Sequence, residues 1–216
     1  MPQLEIVVRG VARRKFAPEF AVLDLAVKTN GPSRDAVYKS AVEVHAALVA
    51  ALDELVGDGA IGEWTSDTIR VFGHRPYDGE GRRLDVEYAT QIGLSARFGD
   101  FEALSRFVDR WSTVEGVRIG GVRWILSEGS RRDREHELRR EAVDDAVFKA
   151  QAYADAVGRG AVTPIRLADP DMRTDARPAM LRAAPPGGPG SAPALELRPA
   201  DIEISVEVDA LFVADQ

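Results

Sequence analysis

The chain reads as an α+β protein in which helices are layered on mostly antiparallel sheet, built from strand-strand-helix units. Three observations point there. Leu84 to Phe98 and Ile202 to Phe212 alternate apolar and polar residues with a period of two, the mark of strands buried on one face. Val37, Ala41, Val44, Leu48, Leu52 and Leu55 recur at spacings of three and four, the mark of a helix with one apolar stripe. Along the chain the order is strand, strand, helix, strand, strand, helix, strand, helix, strand, strand, which pairs strands between helices and hints at two pseudo-repeated halves.

Taken in order, Leu4 to Arg9 and Phe20 to Thr29 are rich in Val, Leu and Ile and are separated by Gly10 and Pro18, which predicts two strands joined as a hairpin. Pro32 and Ser33 open the first helix, and Gly57 and Gly59 stop it. Thr68 to Gly73 and Leu84 to Phe98 predict strands around a turn containing Pro76, Asp78, Gly79 and Gly81. Asp100 caps a short helix carrying Phe101, Leu104, Phe107, Val108 and Trp111, and Gly116 leads to a strand from Val117 to Ser127. Ser130 and Asp133 have capping-box spacing and predict the start of the longest helix, which runs to Val157 before Gly158 and Gly160. Within it Ala142, Ala146, Ala150 and Ala154 form a small-residue ridge suited to close packing. Val162 to Ala168 predicts another strand. Asp169 to Arg198 concentrates proline and glycine and reads as a long flexible insertion in a single domain spanning 1–216. Met180 and Leu181, its only adjacent large apolar residues, are the candidate anchors of a self-association interface.

Composition narrows the functions. With 216 residues, 45% of them hydrophobic, the chain can bury a core. Its 28 basic and 35 acidic side chains leave a net charge of -7, which argues against nucleic-acid binding driven by phosphate neutralisation. Zero cysteines exclude disulfides, thiolate zinc sites, iron-sulfur clusters and a cysteine nucleophile. His45, His74 and His136 are scattered and outside any metal-binding motif, so no metal or other cofactor is expected. The opening residues lack a basic segment followed by a long apolar one, which predicts a cytoplasmic location. Every apolar run stops short of the roughly 18 residues of a spanning helix, so no membrane insertion is expected.

Catalytic motifs are equally sparse. Gly57-Asp58-Gly59-Ala60-Ile61-Gly62 matches G-x-G-x-x-G, but it follows a helix and carries Asp58, so it reads as a helix stop and turn. No G-x-S-x-G elbow occurs, and Ser127-Glu128-Gly129-Ser130 is accounted for by a helix start. Arg131 to Glu141 alternates charges and reads as a solvated helix face with pairs such as Glu135 and Arg139. Its functional alternative is an anion site formed by Arg131 and Arg132 at the helix start. Trp64, Trp111 and Trp124 read as core or sheet-face aromatics. His74, Arg75 and Tyr77, on the turn near 74–82, are the candidates for a small-ligand or enzymatic site.

Several stretches together resemble SIMPL-domain proteins: Ile6-Val7-Val8-Arg9-Gly10, the early strand ending at Val27, the alanine-bearing helix after it, and the strand pair around Pro76-Tyr77. So do Glu141-Ala142-Val143-Asp144-Asp145-Ala146 and Lys149-Ala150-Gln151-Ala152-Tyr153-Ala154, leading to Gly158 and Pro164-Ile165. The resemblance implies a fold of strand-strand-helix units in a bacterial family formerly described as a domain of unknown function. It brings no catalytic residue set. Relatives are often exported, are sometimes linked to the cell envelope or to oxidative-stress defence, and self-associate in some cases, whereas this sequence shows no signal segment. The resulting expectation is a non-enzymatic, self-associating structural or interaction module with a stress-related role; the alternative is a ligand-binding protein or enzyme using the 74–82 turn.

Overall fold

The structure, a computed structural model of the chain, describes residues 4–170 and 198–215. Among them are β1 (Leu4–Phe16), β2 (Phe20–Gly31), α1 (Arg34–Gly57), β3 (Ile61–Ser66), β4 (Arg70–His74) and β5 (Glu87–Phe98). These are followed by α2 (Phe101–Ser112), β6 (Val117–Ile125), α3 (Glu128–Ala156), β7 (Val162–Ala168) and β8 (Ile202–Ala214). The strands form two antiparallel sheets, so the chain is α+β. Met180 and Leu181, with nearly all of the insertion expected over 169–198, lie outside the described residues. No helix among the described residues is long and apolar enough to cross a membrane.

The elements divide into two compact units. A terminal unit takes β1 from one end of the chain and α3, β7 and β8 from the other; a central unit comprises the continuous stretch Pro18–Ile125. The hairpin expected from the first two strands therefore does not form. β1 pairs along its length with β8, from Leu4 opposite Ala214 to Phe16 opposite Ile202, while β2 lies between β5 and β6 in the other sheet. An alternating pattern fixes which face a strand buries and leaves its partner open. Here charge complements the pairing: Arg9 reaches Glu207 and Asp209, each at 2.8 Å, and Arg13 reaches Glu203 at 3.4 Å.

In the central unit, α1 and α2 cover one face of the five-stranded sheet. Ala21, Leu23, Leu25 and Val27 of β2 and Ile92, Leu94, Ala96 and Phe98 of β5 are buried there against Leu48, Leu52, Leu104 and Phe107. Thr90, a buried polar residue on this face, is satisfied by its neighbour. Thr29 donates its hydroxyl to the Val37 carbonyl at 2.9 Å and so accepts from the Thr90 hydroxyl at 2.8 Å. The strands depart from the sequence expectation: β4 covers Arg70–His74 rather than Thr68–Gly73, β6 ends at Ile125 rather than Ser127, and β5 and β3 differ more. β5 starts at Glu87 rather than Leu84, because the Leu84 N–H is used in the turn by the Pro76 carbonyl. β3 is an additional strand directly after the helix stop, where Gly59 has a φ of 73° and Ile61 turns into the core. β3 and β4 pair end to end with the same edge of β5.

In the terminal unit, α3 packs on the sheet of order β1-β8-β7. It begins at Glu128, two residues before the capping box expected at Ser130. Ser127 is the last extended residue, and its side chain accepts the Ser130 N–H at 3.1 Å, so Ser130 already sits inside the first turn. The alanine ridge faces the sheet: Ala142, Ala146, Ala150 and Ala154 are all fully buried.

Candidate functional site

The two flanks of α3 meet the sheet of the terminal unit differently. Along one flank the helix holds the outer edge of β1. The Val11 N–H donates to Asp145 Oδ2 at 2.8 Å, and Lys149 Nζ donates to the Arg9 carbonyl at 2.9 Å and to Asp145 Oδ2 at 2.7 Å. Arg14 extends the contact through ion pairs to Glu137 and Glu141. An edge strand exposes unpaired backbone groups that invite other chains, and here two of them are answered by an i, i+4 pair on the helix. The close approach is possible because position 10 is glycine: a Cβ there would overlap the Ala142 carbonyl oxygen and come within 2.8 Å of Ala146 Cβ.

Along the other flank the described part of the sheet is shorter. β7 pairs with β8 only over Asp209–Ala214 and stops at Ala168 opposite Asp209. Among the described residues, no strand lies beside Ile202–Val208 on that side. The direction of the backbone groups follows from β1. Arg9 and Val11 direct their C=O and N–H groups to α3, away from β8, so their partners Asp209 and Glu207 direct theirs away from β1. The alternation carries on to Ser205 and Glu203. Three N–H and C=O pairs, on Glu203, Ser205 and Glu207, therefore face outward. They border a groove of about 830 Å³, lined by Arg131, Glu135 and Arg139 of α3 and by Asp169 and Pro170.

The whole arrangement lies within a stretch that a family model recognises: the model for SIMPL, described as a protein of unknown function (DUF541), matches residues 6–212. The chain belongs to the SIMPL family. No curated protein matches it. In this SIMPL chain, the stretches that carry the resemblance at Ile6–Gly10, Glu141–Ala146 and Lys149–Ala154 are those that join β1 to α3. Gly10 and the alanines set the spacing, and Asp145 and Lys149 close the strand edge. In the sequence Asp145 and Lys149 stand within alanine-bearing runs, and their i, i+4 spacing is the signal that marks them as a pair.

The Asp145 carboxyl is held below the usual carboxylate range, chiefly by the Lys149 hydrogen bond and then by the Val11 N–H, with burial opposing both. A lowered folded value stabilises the fold fully above the ordinary carboxylate range, around pH 4, and that contribution is lost as pH falls through the lowered value. Asp145→Asn is accordingly expected to cost about 1–2 kcal/mol at neutral pH. Urea titrations of both proteins between pH 7 and pH 2 should show the gap narrowing only in the acid range. A gap independent of pH would contradict the assignment.

The residues singled out from sequence fall in separate places. His74 ends β4, with Nε2 3.9 Å from a Glu87 oxygen across the strand pair. Tyr77, 60% exposed, bridges to Arg83, whose guanidinium lies 5.9 Å over its ring, and Arg75 is exposed between them. Only Tyr77 is thus engaged within the turn, while His74 faces Glu87 across the strand pair. Arg131 and Arg132 also diverge: Arg131 pairs with Glu135 at 3.7 Å on the groove wall, whereas Arg132 pairs with Glu128 at 3.4 Å. The expected Glu135–Arg139 pair is present at 3.5 Å. Trp111 is buried in the central core, Trp124 packs edge-on against Phe101 at 5.0 Å, and Trp64 donates to Asp53 at 3.0 Å. No group of three metal-binding side chains is assembled among the described residues.

Proposed function

We propose that this SIMPL chain is a binding module that acts by recruiting an extended segment as an added strand, rather than by catalysis. The observation that carries the reading is the half-open edge of β8, where Glu203, Ser205 and Glu207 offer outward backbone groups beside a groove. Strand addition uses such groups for affinity and neighbouring side chains for choice of partner. Ser205→Pro tests it. The substitution removes an outward N–H and leaves the ladder to β1 intact, so the variant should fold while losing the edge. Amide exchange at Glu203, Ser205 and Glu207 should be fast in the free protein and slow once a strand-forming peptide is added, and the variant should bind none. Amides that exchange slowly with nothing added would sink the reading.

Self-association is a second reading, favoured by large apolar side chains on α3 that face solvent. Phe148 is 75% exposed, and Tyr153 and, one turn on at the helix C-cap, Val157 are exposed as well. Light scattering distinguishes the two, since the molar mass of one chain at working concentration would leave strand addition to a foreign segment.

A further inference from the structure

We infer that the open edge of β8 selects an extended partner segment in which basic residues alternate with β-branched apolar ones. The inference rests on strand addition and supplies the chemistry of the partner. The side chains of β8 sort by face. Ile204 packs with Leu138 and Ala142 on the helix side, while Glu203, Ser205 and Glu207 stand on the opposite face. A strand laid beside them would set alternate side chains in a row next to Glu203 and Glu207, whose side chains are 46% and 39% exposed.

β1 shows what that row accepts. From the other side of β8 it supplies Arg13 to Glu203 and Arg9 to Glu207, so each carboxylate has one guanidinium on its β1 side and an open flank toward the groove. Among the groove's lining side chains Glu135, Asp169, Glu203 and Glu207 outnumber Arg131 and Arg139; Glu135 is shared by the two arginines, and Glu203 and Glu207 each hold one arginine of β1. Facing the helix, the added strand would continue the row of Ile204 and Val206 and lie next to Arg131 and Arg139, whose aliphatic stems can cover β-branched apolar side chains. A second copy of this edge fits poorly. Antiparallel pairing of β8 with itself about Ser205 would set Glu203 of one chain against Glu207 of the other, and like charges directly opposite are unfavourable.

The test uses the full chain with two capped synthetic peptides, Lys-Val-Lys-Val-Lys and Glu-Val-Glu-Val-Glu, followed by fluorescence anisotropy and by amide exchange at Glu203, Ser205 and Glu207. The basic peptide is expected to bind about tenfold or more tighter than the acidic one. That preference should largely vanish in the Glu203→Gln/Glu207→Gln double variant, and binding should be lost in Ser205→Pro, with folding of each variant checked by its melting curve. Equal affinity for the two peptides, abolished by Ser205→Pro, would overturn charge selection and leave strand addition standing. Basic-peptide binding that survives Ser205→Pro without protecting the three amides would be adsorption to an acidic surface and would overturn both. So would failure of either peptide to bind while those amides are already slow, because the edge would then be covered by a second copy or by residues 171–197.

Discussion

Replacing Gly10 by alanine is expected to destabilise the terminal unit by about 3 kcal/mol or more, at the upper end of what overpacking costs. The added methyl would have to occupy the position of the Ala142 carbonyl oxygen, and a backbone atom of α3 cannot rotate aside as a side-chain tip would. Either β1 lifts from the helix or the helix shifts along the sheet. Both break the bonds of Asp145 and Lys149 to the strand edge. In a thermal melt the change corresponds to roughly 6–12 °C. Gly121→Ala is the control, since a Cβ at that strand position meets nothing within 4 Å. Adding Ala146→Gly to the Gly10 variant should fail to rescue it, because the carbonyl obstacle remains. A Gly10→Ala protein that melts with the wild type would refute the close approach.

Phe98→Ala should cost about 3–5 kcal/mol, read as a lower urea midpoint with an unchanged slope. Phe98 is fully buried at the end of β5, opposite Ala21 of β2 and Ile61 of β3, with its ring 5.7 Å from that of Phe107. Truncation would open a cavity where two helices and three strands meet, and small neighbours such as Ala21 cannot fill it. Phe98→Leu, which retains most of the volume, should lose only about 1 kcal/mol. Comparable losses for the two variants would mean that the site collapses freely and is not the packed centre described above.

Elements were far more legible than their partners. The period-two runs of β5 and β8, the stripe of α1 and the alanine ridge of α3 each record which face is buried, and the structure buries those faces. Nothing in Leu4–Phe16 says that its neighbour in the sheet is Ile202–Ala214, since any half-buried strand reads alike until charges such as Arg9 and Glu207 are brought together. β3 escapes because its six residues, Gly62 among them, bury only Ile61 fully and Trp64 in part, too little alternation to register. The stretch of β8 that has no strand beside it on that side among the described residues is beyond reach of the sequence for a different reason. It arises from the position at which β7 stops relative to β8, a fact of register carried by no residue type. His74, Arg75 and Tyr77 stand out in the sequence because their residue types can do chemistry, whereas the proposed strand addition would use backbone atoms that every residue has.

The pairing of β1 with β8 also orders events during synthesis. Arg9 and Asp209, which hold each other across the ladder, are 200 residues apart. At about 5–20 residues per second the ribosome needs roughly 10–40 s between releasing one and the other. During that interval the stretch Pro18–Ile125 is complete and has its own core, so it can fold while β1 waits unpaired at the start of the chain. A nascent β1, with Val7 and Val11 on one side and Ile6 and Val8 on the other, is then a vulnerable strand. Its arginines and lysine, Arg9, Arg13, Arg14 and Lys15, oppose pairing with other copies of itself until its acidic partner is made.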